Sequence, residues 1–387
     1  MIFIATIKEI AKACNVSIST VSNILNGKNK ASDEVKKLVL ETAKEMNYVP
    51  NYMAKNLKQK NTKTIGIIAE DLTIFHTPSI IDGISEFMEE RGYTLLMGNM
   101  RLYQKYGNLF YKEENYDSLV EDEVQQMLAK RVEGIIYIEG HYHVMDNISE
   151  LFSVPLVAVY GRVKNPEITS IIYDDEQGGY EATKELLANG HRKLGLIKGT
   201  EASYHTLERR KGFLRALYEY QIPFNPSWEI CGDWNRTDGY EGAKRLVKEG
   251  VTGIFAMNDL MAAGVYDYAV KHNLTIGKDL SVIGFDNREI CAAFTPALST
   301  MALPLRKMGT IAADYLIQKI EHPEPSHQDE YKIPCEILKR KSYADFSALH
   351  TDFSFFTNTN SYFHTVSLIP ISDSLNTGFF PAFFCSS

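Results

Sequence analysis

Cysteine is scarce in this 387-residue chain: five residues, at 14, 231, 291, 335 and 385, with neither paired spacing nor histidine neighbours. A disulfide framework and a zinc site are not signalled, and the five read as small buried hydrophobes. Long apolar runs are missing too. None reaches the roughly 20 residues that cross a bilayer, and the opening MIFIATI is too short, and lacks the basic flank, for a secretory signal. The expectation is a cytoplasmic protein with no membrane partner. There is no GxSxG, HExxH or GxxxxGK(S/T), and no serine, histidine and acid grouping that spacing singles out. No enzyme, metal or cofactor is expected. Residues 1–60 hold no arginine, yet ten lysines against five acids give them a net charge of +5. The rest of the chain holds 31 basic and 44 acidic side chains, net −13. A basic head on an acidic body suggests that only the head meets a polyanion.

What is present begins with residues 5–27, ATIKEIAKACNVSISTVSNILNG, which read as two short amphipathic helices joined by a turn. Ile7, Ile10, Ala11 and Cys14 form one stripe at i, i+3, i+4, i+7 spacing, with Thr6 as N-cap. Asn15 breaks that helix. A second starts at the cap Ser17, turns Val21, Ile24 and Leu25 inward and leaves Ile18, Ser19 and Asn23 outward. Such a pair is the smallest unit that lays a helix in the major groove of DNA. Ile18, Ser19 and Asn23 are candidate readers of base edges, while the hydroxyls of Ser17, Thr20 and Ser22 suit phosphate oxygens. A third helix, from about Ser32 to Met46, supplies Val35, Leu38, Val39, Thr42, Ala43 and Met46 to close a three-helix core. Ser32 and the acids after it mark its start. The candidate DNA-binding set is completed by Thr6, Asn26, Tyr48, Asn51, Ala54 and Leu57.

Pro50 biases Val49 away from the α region and stops the third helix. Ala54, Leu57 and Lys58 allow one short helical stretch before the polar run Gln59 to Lys63, too short to hold alone in water. From Thr64 onward, apolar runs alternate with amphipathic stretches: TIGIIAE, TLLMGN, GIIYIEG and PLVAVYG, then KLGLIKG, WEICGD, GIFAMN and LSVIGFD. Continuous Ile, Val and Leu runs separated by helices imply parallel strands covered on both faces. Two doubly wound α/β halves in series make a bilobed binding core with a cleft at the carboxyl ends of the strands. The domain reading is a helix-turn-helix head over 1–49, a short helical stretch and linker over 50–63, the bilobed core over 64–342 and an atypical tail over 343–387. The tail, with nine Phe, three Asp and no Lys or Arg from Ala344 on, has no period and reads as disordered. The aromatic connection from Asn99 to Asp117 is either a lid or a packed surface loop.

A sugar-like ligand offers hydroxyls and apolar C–H faces, so its site calls for a carboxylate, an amide, a guanidinium and an aromatic plane near strand ends. Asp286 follows SVIGF, Asn258 follows GIFAM, Arg209 lies on the helix after LIKG, and Trp234 follows WEICGD. Phe75 and His76, after the first strand, are candidates for the opposite wall, with a core role for Phe75 equally open.

The helix-turn-helix, the segment NYVPNYMAKNLKQKNTKTIGII after it and these strand-end residues together resemble the LacI/GalR family of bacterial transcription repressors, from about Ala5 to Ser342. The resemblance implies a late exchange of segments between lobes, through crossovers near 168–173 and 300–304 and a helix from Pro304 to Ile320. It makes the stretch over 50–63 a hinge helix and linker, and Leu57 the apolar wedge that two subunits insert into the minor groove. It also matches Arg209 to the arginine three residues before a Gly-Phe pair, here Gly212-Phe213, Asn258 to the asparagine of an AND-like motif, Asp286 to the aspartate of GFD, and Trp234 to an aromatic stacked on the ligand. At Tyr160, where sugar-binding relatives commonly carry Asp, this chain departs. The implied protein is a homodimeric repressor that binds operator DNA and a sugar-like effector. The alternative is a cytoplasmic solute-binding protein whose head is an interaction module.

Overall fold

The computed structural model describes residues 5–28, 31–48, 62–107, 110–112, 114, 116–140, 144–145, 153–322 and 330–344. Asn51, Ala54 and Leu57, the expected hinge helix around them, and residues 345–387 lie outside the described residues.

The head comprises α1 (Ile7–Ala13), α2 (Ile18–Leu25) and α3 (Asp33–Glu45). Its caps are those expected. Thr6 and Glu9 form a reciprocal capping box, with the Thr6 N–H donating to Glu9 Oε2 at 2.7 Å. Ser17 Oγ accepts from the Thr20 N–H at 3.0 Å, and Ser32 accepts from the Val35 N–H. Between α1 and α2, Asn15 takes φ 51°, a left-handed conformation that asparagine tolerates better than most residues. Ile10, Val21 and Val39 are fully buried and pack with Ala11, Cys14, Ile24 and Ala43. Leu38 does not join them. It is 47% exposed, because the stripe that meets the two short helices runs through Val35, Val39, Ala43 and Met46, and one residue from Val39 is about 100° round the helix.

The core contains β1 (Thr64–Ala69), α4 (Thr77–Glu90), β2 (Thr94–Asn99), α5 (Leu102–Tyr106), α6 (Tyr116–Ala129), β3 (Gly134–Ile138), β4 (Val144–Met145), β5 (Leu156–Val159), β6 (Arg162–Val163) and β7 (Thr169–Tyr173). It continues with α7 (Asp175–Ala188), β8 (Leu194–Lys198), α8 (Tyr204–Glu219), β9 (Glu229–Cys231), α9 (Arg236–Lys248), β10 (Gly253–Ala256), α10 (Asp259–Lys271) and β11 (Ser281–Asp286). The last elements are α11 (Ile290–Ala293), β12 (Ser299–Ala302), α12 (Leu305–Glu321), β13 (Glu330–Ile333) and β14 (Glu336–Leu338). One sheet runs β13-β7-β5-β3-β1-β2 with every pair parallel; the other runs β14-β12-β11-β10-β8-β9, parallel except for β14. Every residue of β1, β3, β5 and β7, and of β8, β10 and β11, is buried, which is why those runs are apolar without alternation.

Each lobe borrows from the other half of the chain. Strand β13 completes the first sheet, and α12 packs on α4, β3 and β5 of that lobe. Besides the passages after Tyr173 and between Ala302 and Leu305, the chain crosses once more through Pro334-Cys335. The third passage was not foreseen, since strands of four and three residues are too short to show a period. The aromatic connection after β2 is packed: Leu102 and Phe110 are 1% exposed, and the Tyr116 hydroxyl donates to Glu70 Oε1 at 2.7 Å.

Helices α7 and α8 approach through reciprocal glycines. A Cβ on Gly179 would lie 2.3 Å from the Arg209 carbonyl oxygen, and one on Gly212 would lie 2.0 Å from that of Glu176. That close approach fixes the rotation of α8 and therefore the direction of Arg209.

Two expectations need correction. Cys231, at the end of edge strand β9, is exposed and Cys335 is half-buried, unlike the buried Cys14 and Cys291, while Cys385 lies outside the described residues. The ordered core runs two residues past Ser342: the Tyr343 hydroxyl donates to Glu185 at 2.7 Å and the Ala344 N–H to Ser281 Oγ at 3.3 Å.

His191, in the turn after α7, is fully buried with Nδ1 2.9 Å from Thr252 Oγ1. Burial lowers its pKa to about 4. A depressed histidine contributes stability that is present above its unfolded value of about 6.5 and lost as pH falls towards 4, a change of about 3 kcal/mol. Denaturant melts should lose that much less over this window in His191→Gln than in the parent; equal losses would contradict the assignment.

Candidate functional site

The carboxyl ends of β7, β10 and β11 converge on Arg209, which is 2% exposed. Its Nε donates to Asp175 Oδ1 at 2.7 Å, Nη2 donates to the Tyr173 hydroxyl at 3.0 Å, and Nη1 donates to the Met257 carbonyl. Nη1 also lies 3.9 Å from Asp286 Oδ1. The guanidinium covers Phe285, 3.7 Å from the ring centroid, and is 5.7 Å from that of Trp234. Asn258 caps α10 by accepting from the Met261 N–H at 2.7 Å, and its amide donates to the Trp234 carbonyl at 2.9 Å. The cap and the link to Trp234 use both ends of one side chain. Arg209, Asn258, Asp286 and Trp234 thus come together as their spacing suggests.

Across from them, Tyr160 stacks on His76 with centroids 3.6 Å apart and planes at 8°. His76 Nε2 lies 2.9 Å from the Glu139 carbonyl oxygen. Phe75 is half-buried and meets His76 edge-on at 5.4 Å, so it belongs to this wall rather than to the deep core. Tyr160, Trp234 and Asp286 have φ of 78°, 62° and 110°, left-handed conformations that non-glycine residues keep only where the surroundings hold them.

Three residues of this cluster escaped the sequence reading: Tyr173, Asp175 and His205. His205 Nδ1 lies 2.8 Å from Asp175 Oδ2 and 2.9 Å from the Tyr173 hydroxyl. Burial would raise the Asp175 carboxyl, but His205 and Arg209 beside it outweigh that and hold it below the usual range. Asp286 goes the other way. Burial pushes it well above the usual carboxylate range, and Arg209 only partly opposes this. One lobe thus holds a carboxylate kept charged and another drawn towards its neutral form, on either side of a single guanidinium.

In the head, Ile18 is 47% exposed, Ser19 is exposed, and Asn23 and Ser22 are half-buried on the same helix. Ser17 Oγ lies within hydrogen-bond distance of the Ser19 and Thr20 hydroxyls, at 2.7 and 2.8 Å. Thr6 is engaged in its capping box, and Asn26 donates to the Ser22 carbonyl at 2.7 Å. Tyr48 packs half-buried against the head core. No helix among the described residues is long and apolar enough to cross a membrane.

A helix-turn-helix head ahead of two doubly wound lobes with a polar, aromatic-lined cleft defines a ligand-regulated DNA-binding protein. Residues 6–51 match the model for bacterial regulatory proteins, lacI family, and residues 183–343 that for a periplasmic binding protein-like domain. The chain is 31% identical over 346 residues to the HTH-type transcriptional repressor PurR of Photobacterium profundum, covering 88% of this chain and 99% of the relative. It is 29% identical over 342 residues to the ribose operon repressor of Haemophilus influenzae, covering 88% and 99%. The lac repressor bound to ONPG in the repressed state superposes with a TM-score of 0.72 at 25% identity, over 88% of this chain and 100% of that one. The chain belongs to the lacI family, and it is a DNA-binding transcriptional repressor rather than an enzyme.

Proposed function

We propose that this repressor is a cytoplasmic homodimer whose head, over residues 1–49, reads a pseudo-palindromic operator and whose core, over 64–344, binds a sugar or sugar derivative. Residues 50–63 act as the hinge between them, with Ala54 and Leu57 at the minor groove and Tyr48 and Asn51 beside it. The effector reading rests on one observation, the grouping of the Asp286 carboxyl and the Trp234 indole about the Arg209 guanidinium, at 3.9 and 5.7 Å, with the Asn258 amide tied to the Trp234 carbonyl at this point. Hydroxyl-rich ligands need this mixture of donors, acceptors and an aromatic plane. Tyr160 and Phe75 face that point from the other lobe and supply apolar surface where a carboxylate would restrict the ligand.

A native-state ligand raises the melting temperature, so a thermal-shift panel of pentoses, hexoses, their derivatives and purine bases tests the class. The proposal expects a sugar to shift the melt and purines to leave it unchanged. A shift confined to purines overturns the sugar reading and leaves the repressor intact.

In the head, the proposal places the outward amide of Asn23 against an adenine edge. Asn23→Ala should weaken operator binding by about 1–3 kcal/mol and leave binding to random DNA nearly unchanged. Fluorescence anisotropy on both DNAs checks this, and equal losses remove Asn23 from the base-reading set.

A further inference from the structure

At the cleft mouth the lobes touch through two charge–ring contacts of opposite direction. Arg162, on β6 of the first lobe, lies 4.1 Å from the ring centroid of Tyr204, the first residue of α8 in the second lobe, and donates to its hydroxyl. Arg288, which follows β11 in the second lobe, lies 5.0 Å from the ring centroid of Phe75 in the first. Each lobe gives one cation and receives one.

Each arginine is held within its own lobe, Arg162 through its guanidinium and Arg288 through its backbone. Arg162 forms a two-point ion pair with Glu330 of β13, Nε to Oε1 at 2.6 Å and Nη2 to Oε2 at 3.0 Å. The Arg288 N–H donates to Asp259 Oδ2 at 2.7 Å, and Arg340 donates to Asn287 Oδ1 at 2.9 Å, fixing the loop. Opening the cleft therefore separates each guanidinium from its ring without breaking the Arg162–Glu330 ion pair or the bond from the Arg288 backbone N–H to Asp259. Contacts of this kind are reversible: a partly exposed cation–π pair shifts a two-state ratio by about two- to tenfold.

We propose that Arg162–Tyr204 and Arg288–Phe75 are reciprocal clasps that hold the lobes of the empty repressor closed, so that effector enters through an open minority state. The rate of effector association then scales with the open fraction, and the arrangement offered to DNA in the absence of effector is set by the protein's own side chains.

Single-molecule energy transfer on the full-length protein reads this without any effector, so its outcome is independent of the effector's chemistry. Dyes at Glu89→Cys on α4 and Lys244→Cys on α9, both exposed sites, report the distance between lobes in a Cys231→Ser, Cys335→Ser, Cys385→Ser background. Excess unlabelled chain leaves one labelled subunit in each dimer. The parent should show one dominant closed population and a minor open one. Tyr204→Leu and Arg288→Gln should each raise the open-to-closed ratio about two- to tenfold, and the double variant should raise it further. Tyr204→Phe, which keeps the ring, should raise it less than Tyr204→Leu. An unchanged ratio in the double variant overturns the proposal. Should Tyr204→Leu fail to fold, an unchanged ratio in Arg288→Gln overturns it for the second clasp and Tyr204→Phe reads the first.

Discussion

Arg209→Met should destabilise the second lobe by about 3–5 kcal/mol and abolish the effector response in the same step. Arg209 and Asp175 are both buried, their side chains 2% and 3% exposed, and the guanidinium, with His205 beside it, keeps Asp175 charged. Removing it leaves a carboxylate facing His205, whose own pKa burial lowers even with Asp175 beside it. Tyr173 and the Met257 carbonyl also lose a donor. Asp175→Asn with Arg209→Met should recover much of the stability, since the stranded charge is gone, while leaving effector binding absent because the guanidinium is still missing. Denaturant melts of the two single variants and the double give the coupling. A double variant that regains the effector response would remove Arg209 from the site.

The second large effect is at Asp286. Asp286→Asn should weaken effector binding about 10- to 100-fold while the empty protein keeps its operator affinity. A carboxylate accepts from two ligand hydroxyls; an amide turns a donor towards one of them. The raised pKa of Asp286 adds a pH signature. A group with a folded pKa above its unfolded value stabilises the empty fold at low pH and loses that contribution as pH rises through the folded value. A ligand that needs the charged form binds more tightly over the same rise. Parent effector affinity should therefore increase with pH in this window, with Asp286→Asn flat. Calorimetric titration across pH measures both, and a parent profile as flat as the variant's would contradict the role given to the carboxyl.

Much of this was legible from local chemistry. Thr6, Ser17 and Ser32 announce helix starts because short oxygen side chains satisfy free N–H groups, and all three cap as expected. The parallel strands were visible because sheets covered on both faces leave little place for polar side chains. Helix α7 escaped notice: its DDEQGG opening puts acids and glycines where an apolar stripe would show, and Gly178 and Gly179 are there to admit Phe285 and the α8 backbone, a requirement that exists only in three dimensions. Tyr173, Asp175 and His205 were missed for a related reason. Each stands on a different element, and their hydrogen bonds arise only after the chain has crossed between lobes. Leu38 misled because its residue type, not its place on the helix, suggested burial.

One chain couples operator DNA to a small ligand. Coupling is reciprocal: an effector that changes operator affinity by a given factor has its own affinity changed by operator DNA by the same factor. The direct measurement is operator affinity by fluorescence anisotropy with and without the ligand found in the thermal-shift panel, against excess competitor DNA at fixed salt, paired with ligand affinity with and without operator. Operator binding should survive competitor, and the two factors should match, each about 5- to 150-fold. Equal affinity for operator and random DNA, or a ligand that binds without changing either value, would contradict this coupling.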